Sequence, residues 1–402
     1  MSLETQLAAE LEAMEESGAL KSIPILSSPQ GPVIELEGRG EVLCLCSNDY
    51  LGLANHPEVV AAAAEGLSRY GAGTASVRFI CGKFAAHVEL ERELAEFCGT
   101  PAALTYVSCW NANAALLDAL CDVPAAIFSD RLNHASIIDG MRLARPAHKA
   151  VYEHSDPDDL RRALREAPPV ERRLIVSDGV FSREGDLAPM RELAQIAAEH
   201  DATLIVDDSH GLGVVGETGR GVLERFGLLG REGIILTGTL GKALGGAAGG
   251  FVAGGVALCE VLEQRSRAQL FSNGLPPSVA CSARRALAEL RQRPDLVTRL
   301  RANTEAMREA IARSGLEPLP GESAIVPIIV GATRDAIRAS RLLLERGVYA
   351  TGFGYPVVPE GTARVRVQVS AALSIAQIER AAESIGEVGR ELGLQARESL
   401  GA

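Results

Sequence analysis

One lysine stands in an otherwise small and apolar run, GTLGKALGGAAGG at residues 238–250, and no carboxylate follows within the run to pair with it. An amine in such surroundings is a phosphate ligand, a chemical group in its own right, or a side chain that reaches for water. The phosphate-loop reading fails on spacing. Position 236, five before Gly241, is Leu236 where a glycine is required, and Ala243 stands where a hydroxyl should hold magnesium. A second temptation is GLGVVG at 211–216, a dinucleotide-type fingerprint. It is offset from its strand by DDSH and followed by ETGRG instead of a helix start. It reads as a loop that needs glycine.

Lys242 has polar company at the ends of other apolar stretches. AAIFSD leads to Asp130 and His134, RRLIVSDGVFS to Asp178 and Ser182, TLIVDDSH to Asp207, Asp208 and His210, and GIILTGT to Thr239. These stretches read as strands, separated by helical segments of about 10–15 residues, which is the pattern of a largely parallel α/β sheet. Ligands bind beyond the carboxyl ends of such strands. Four successive polar tips there make one shared site.

The set suits pyridoxal phosphate. An amine that carries the cofactor must lose its proton easily, and burial lowers its pKa. A carboxylate beside the pyridine nitrogen keeps the ring an electron acceptor. Strand register decides whether Asp207 or Asp208 takes that place, and the residues alone leave it open. The SCWNAN stretch, where a strand passes into a helix, offers N–H groups for a phosphate. An imidazole can stack on the ring.

Around this site the rest of the chain divides by pattern. Residues 3–17 read as a helix and PVIELEGRGEVLCLC as two strands around a glycine turn. GGFVAGG reads as a strand doubling back. After about residue 290 the pattern changes to long helices, AIVPIIVG, a helix at 333–346, ARVRVQVS and a last helix from 374. The expected architecture is a mainly parallel central sheet flanked by helices plus a smaller α+β domain. The N-terminal segment 1–45 and residues 291–402 form the small part, and 46–290 form the large cofactor-binding domain. Arg364 and Arg366 in ARVRVQ share a strand face, and either suits a carboxylate.

Composition narrows the class. Hydrophobic content is 47% in 402 residues, enough for a large buried core. A net charge of −12 disfavours nucleic acid and anionic membrane as partners. The eight cysteines are scattered, which fits reduced thiols in a cytoplasmic protein and no metal site. The N-terminus lacks the basic start and apolar core of a signal peptide, and no stretch has the length of a membrane span.

Six ordered motifs carry a resemblance: SNDYLGLANHP, ASVRFICG, FSDRLNHASIIDG, SDGVFS, VDDSHGLGVVGETGRG and GTLGKALGGAAGGF. Together they resemble the α-oxoamine synthase family, pyridoxal-phosphate enzymes of fold-type I, over about residues 43–390. Within it the chain is most similar to members that condense glycine with acetyl-CoA, releasing CoA, in threonine breakdown. Other members use alanine with a long acyl thioester, or glycine with succinyl-CoA.

The resemblance implies roles. Lys242 corresponds to the lysine that carries the cofactor as a Schiff base, and Asp207 to the partner of the pyridine nitrogen. His210 corresponds to the histidine near the phenolic oxygen, His134 to the one stacked on the ring, and Ser182 to a serine beside it. Ser108, Cys109 and Trp110 take the phosphate-cradle segment and Thr239 its supporting hydroxyl. Ser272, in FSNGLPP, corresponds to a hydroxyl contributed by a partner subunit, which implies a homodimer with shared active sites. Asn48 and Arg366 correspond to the groups that hold the substrate carboxylate. The resemblance also implies functional coupling to a threonine dehydrogenase. One departure is the run Lys83-Phe84-Ala85-Ala86 before His87, where small polar residues are usual, and it bears on acyl preference.

Overall fold

The computed structural model describes residues 1–16, 20 and 23–394. The helix expected over 3–17 spans Leu3–Glu16, and Ser17 lies outside the described residues. Two short strands follow, β1 (Val33–Leu36) and β2 (Gly40–Cys44), paired antiparallel about the glycine turn.

The main sheet comprises β3 (Ala102–Tyr106), β4 (Ala125–Asp130), β5 (His148–Tyr152), β6 (Arg172–Asp178), β7 (Thr203–Asp207), β8 (Ile234–Thr239) and β9 (Gly250–Gly254). Its spatial order is β3-β9-β8-β7-β6-β4-β5. Pairings β4–β5, β4–β6, β6–β7 and β7–β8 are parallel, and β9 is antiparallel to both β8 and β3. All the strands except β9 therefore point one way, and their carboxyl ends share an edge.

Alternation along these strands shows why the sheet is central. Ile127, Leu174, Val176, Ile205 and Val252 project into one core cluster, with helix Cys109–Leu120 packed on it. Their neighbours Ala126, Phe128, Ile175, Leu204, Val206 and Ala253 project into the other. A sheet covered on both faces needs apolar residues in both phases, which is how strands such as AAIFSD come to be buried throughout.

The C-terminal module adds β10 (Ile325–Gly331), β11 (Val348–Tyr349), β12 (Thr351–Phe353) and β13 (Ala363–Gln368). β13 lies between β10 and β12, antiparallel to both, and β11 joins β2 in parallel. The segment after β2 is sewn to this module: Leu45 N–H donates to Tyr349 O, Gln368 N–H to Leu45 O and Ala371 N–H to Tyr50 O. Those bonds bring Asn48 and Tyr50 beside β13. Among the described residues no helix is long and apolar enough to cross a membrane.

Candidate active site

A cavity of about 220 Å3 opens at the carboxyl edge of the main sheet. Ten of the residues singled out from sequence line it, Asp178 at the end of β6 among them. Lys242 follows β8; Asp207 ends β7, with His210 beyond it; Ser182 follows β6 and His134 follows β4. Ser108, Cys109 and Trp110 lie between β3 and its helix, and Thr239 ends β8. The turn that delivers Lys242 is tied down by Thr239, whose Oγ1 donates to Gly249 O and accepts from Gly241 N–H.

Register settles the adjacent aspartates. Asp207 pairs with Asp178 across β7–β6 and faces the cavity. Asp208 points the other way, fully buried, and accepts from Val222 N–H at 2.8 Å. A Cβ on Gly211 or Gly221 would lie 1.9 or 1.8 Å from an Asp208 carboxylate oxygen. The glycines of this loop therefore make room for a buried carboxyl, and the loop is not a nucleotide cradle.

Asp207 is held from three sides. Asn113 Nδ2 donates to its Oδ2 at 2.6 Å, Ser209 N–H donates to Oδ1 at 3.0 Å, and Cys109 Sγ lies 3.8 Å from both oxygens. A carboxylate has about four lone-pair sites, so acceptor capacity remains toward the cavity. Burial, with the charge of Asp207, pushes the Cys109 thiol well up and keeps it protonated.

His134 caps its helix: its Nδ1 accepts from Ser136 N–H and sits 2.8 Å from Ser136 Oγ. Its backbone N–H donates to Asp178 Oδ2 at 3.1 Å, and its ring meets Trp110 edge-on at 6.0 Å. The backbone amide and ring Nδ1 thus set the residue's place, and burial lowers the imidazole's pKa despite Asp207. Burial pushes the Asp178 carboxyl well up, and the nearby charge of Asp207 adds to this.

Lys242 Nζ lies 2.8 Å from His210 Nε2. Burial lowers the amine's pKa, opposed in part by the charge of Asp207. His210 is pushed well down by burial and then by the positive charge of Lys242. The pair is arranged to hold two neutral nitrogen bases side by side.

Arg366 and Asn48 stand outside the cavity wall but reach toward it. Arg366 Nη1 donates to Ser182 O at 2.7 Å, and its Nη2 donates to Gln368 Oε1 at 3.2 Å. Its Nε is buried without a hydrogen-bond partner, and no carboxylate pairs with it among the described residues. Arg364, on the same strand face, spends its charge on Glu184. The structure thereby separates two arginines that spacing left equivalent. Asn48 Oδ1 accepts from Gln368 Nε2. Ser272 is not at the cavity of its own chain; it lies partly exposed beside Phe271, which is 70% exposed. Lys83 and Phe84 are also remote from it. Lys83 pairs with Glu263, and Phe84 packs edge-on against Tyr70 and His87.

Asn113, Ser209, Ser136, Tyr50 and Gln368 take part but were not singled out from sequence. Asn113 lies inside the quoted SCWNAN stretch and Ser209 inside VDDSH, but neither type announces chemistry. Tyr50 and Gln368 come together only through the chain's tertiary pairing.

The donor set fits pyridoxal phosphate. It offers an amine with lowered pKa, a carboxylate with spare acceptor capacity, an imidazole fixed as a wall, and a helix start whose first N–H groups lack intrahelical acceptors. The profile of the class I and II aminotransferases matches residues 40–385. The chain belongs to that family, in its α-oxoamine synthase branch. It is 44% identical to the 2-amino-3-ketobutyrate coenzyme A ligase of Escherichia coli K12 over 391 residues, 97% of this chain and 98% of that one. It is 42% identical to an 8-amino-7-oxononanoate synthase of Symbiobacterium thermophilum over 395 residues, 98% of this chain and 100% of that one. A high-resolution serine palmitoyltransferase structure with PLP superposes at a TM-score of 0.91 with 29% identity, covering 98% of this chain and all of that one. This family member uses pyridoxal phosphate.

Proposed function

We propose that the protein is a glycine C-acetyltransferase, reversibly converting glycine and acetyl-CoA into 2-amino-3-oxobutanoate and CoA. Near full-length similarity to the 2-amino-3-ketobutyrate coenzyme A ligases gives the reaction its name. The observation that carries the chemistry is the Lys242–His210 contact at 2.8 Å, inside a cavity that also presents Asp207.

Bound at Lys242, pyridoxal phosphate supplies an electrophilic carbon for amino groups and a ring that accepts the electron pair left when a neighbouring carbon loses a proton. The chain's own residues do the rest. Asp207 would pair with the ring nitrogen, and His134 and Ser182, which line the same cavity, would bound the ring. The N–H groups and hydroxyl of Ser108, Cys109 and Trp110, with Thr239, would hold the phosphate. Arg366 takes the glycine carboxylate through its unpartnered Nε, and Asn48 assists. Lys242, with a lowered pKa, removes the glycine Cα proton. His210 donates to the oxygen of the acetyl group as negative charge develops there, before CoA leaves.

The reading includes a homodimer in which Ser272 reaches the partner's phosphate site. The exposure of Phe79, Ile80 and Phe271, between 63% and 70%, marks a surface suited to such a partner. It also includes a place in threonine breakdown beside a threonine dehydrogenase, a cytoplasmic location, and the domain division at residues 45 and 290.

Steady-state rates with acetyl-, succinyl- and pimeloyl-CoA, each with glycine and alanine, test the assignment. Glycine with acetyl-CoA is expected to give the highest kcat/KM. Faster turnover with a longer acyl group or with alanine overturns it.

A further inference from the structure

Three side chains link Arg366 to the active-site lysine, Lys242: Gln368, Tyr50 and His210. Arg366 Nη2 meets Gln368 Oε1 at 3.2 Å, Gln368 Nε2 meets Tyr50 Oη at 2.9 Å, and Tyr50 Oη meets His210 Nδ1 at 2.8 Å. His210 Nε2 then meets Lys242 Nζ at 2.8 Å. The direction of each bond follows from the first.

A guanidinium only donates. The Gln368 atom beside Arg366 is therefore the amide oxygen, which turns the NH2 group toward Tyr50 and Asn48. Tyr50 Oη accepts from that NH2, and its one proton must go elsewhere. Asn48 Oδ1 is 3.4 Å away and already accepts from Gln368, whereas His210 Nδ1 is 2.8 Å away. An O–H donor takes the shorter bond. With Nδ1 accepting, a neutral imidazole carries its proton on Nε2, the atom that faces Lys242.

We infer that Tyr50 and Gln368 are positioning residues for the acid–base work of Lys242, fixing the His210 proton on Nε2 so that the imidazole donates to an uncharged amine. The reverse polarity is strained. A protonated Lys242 would donate to Nε2, move the proton to Nδ1, and leave Tyr50 only the 3.4 Å contact to Asn48. Burial acts the same way on both groups. His210 is faced by Lys242, Arg366 and His134, all of which disfavour its charge; Lys242 is faced by Arg366, which also disfavours charge, and by Asp207, Cys109 and Asp178, which oppose burial without overcoming it. Burial also raises Tyr50 to about 12, so it keeps its proton to donate. The relay ends at Arg366 and Asn48, the groups assigned above to the substrate carboxylate, so arrival of substrate and the proton state of the base share one hydrogen-bonded line.

The tautomer part stands on geometry, and its catalytic meaning rests on the acetyltransferase reading. Holoenzyme and cofactor-stripped protein labelled with 15N-histidine are compared by long-range 1H–15N correlation, with His210 assigned by loss of its signals in His210→Gln. The unaltered protein is expected to show the proton on Nε2. Gln368→Glu puts an acceptor where the donor was, so Tyr50 turns to it and the His210 proton moves to Nδ1. Tyr50→Phe is expected to lower kcat by about 10-fold and move its acid limb up by about one pH unit, with KM for glycine changed less than about threefold. A proton on Nδ1 in the unaltered protein overturns the inference, as does an Nε2 proton retained in Gln368→Glu. The expected tautomers without any acetyl transfer would sink the proposed function and leave the relay standing.

Discussion

Asn113 spends its whole amide on holding Asp207 in place. Its Nδ2 donates to Asp207 Oδ2 at 2.6 Å and to Ser136 Oγ at 2.9 Å, while its Oδ1 accepts from Thr237 Oγ1 at 2.8 Å. The residue is 2% exposed. Through Ser136 the same amide also reaches the residue that orients His134.

Asn113→Ala removes these bonds at once and leaves buried polar partners unpaired. A loss of about 1–3 kcal/mol in stability is expected from that desolvation. Cofactor affinity is expected to fall as well, because Asp207 is freed to swing. Urea unfolding of the cofactor-stripped protein measures the first effect, and titration with pyridoxal phosphate measures the second. Unchanged affinity would show that Asp207 needs no such support.

Lys242→Ala is expected to keep the fold and lose at least about 100-fold in kcat, the lower range for removal of a positioned base. After borohydride treatment, peptide mass spectrometry should find the cofactor on Lys242 in the unaltered protein and no adduct in the variant. An adduct on another side chain would contradict the assignment.

Gly250 begins β9 against the start of the helix that holds Cys109. A Cβ there would lie 2.2 Å from Cys109 N and 2.4 Å from its Cα. Both are backbone atoms and cannot step aside. Gly250→Ala should cost about 3 kcal/mol, near the upper range for overpacking, and weaken phosphate binding by displacing the cradle. Thermal unfolding and the affinity for inorganic phosphate in the cofactor-stripped protein check the two effects.

His154 bridges Asp130 at 3.1 Å and Asp186 at 2.9 Å, with its ring edge-on to Phe181 at 4.4 Å. Burial works against its charge, but the two carboxylates outweigh burial and raise its pKa from 6.5 to about 10. A raised folded-state value stabilises fully below the unfolded pKa, and the benefit disappears as pH climbs through the folded one. Stability should therefore decline between about pH 6.5 and pH 10 by on the order of a few kcal/mol. His154→Gln should flatten that slope. Urea midpoints across the range decide it, and an equally steep slope in the variant would refute the bridge's role.

Ser272→Ala should weaken cofactor affinity several-fold while leaving the monomer's own fold intact, if the hydroxyl serves a second copy. Light scattering alongside activity on dilution tests the same arrangement. A monomer with full activity would exclude it.

Much of this site is legible in the sequence, because strand ends are easy to see. Polar tips after runs such as TLIVDD and GIILTGT sit at one edge of a parallel sheet by topology alone. Adjacent residues were harder. Asp207 and Asp208 differ only in which face of β7 they take, and that needs the register with β6. Arg364 and Arg366 share a face, and only the presence of Glu184 beside one of them tells them apart. Tyr50 and Gln368 carried no signal, since their partnership spans 318 positions and depends on the pairing of β2 with β11 and of residue 45 with β13. Asn113 was in plain view but its meaning lies wholly in its partners.

Trp110 is the chain's one tryptophan, and it stands 43% exposed at the lip of the cavity with its ring against His134. Indole emission from this protein consequently has a single source, placed beside the groups that would receive an absorbing ligand. Filling and emptying of the cavity can be followed by light alone, with no label attached and no residue altered.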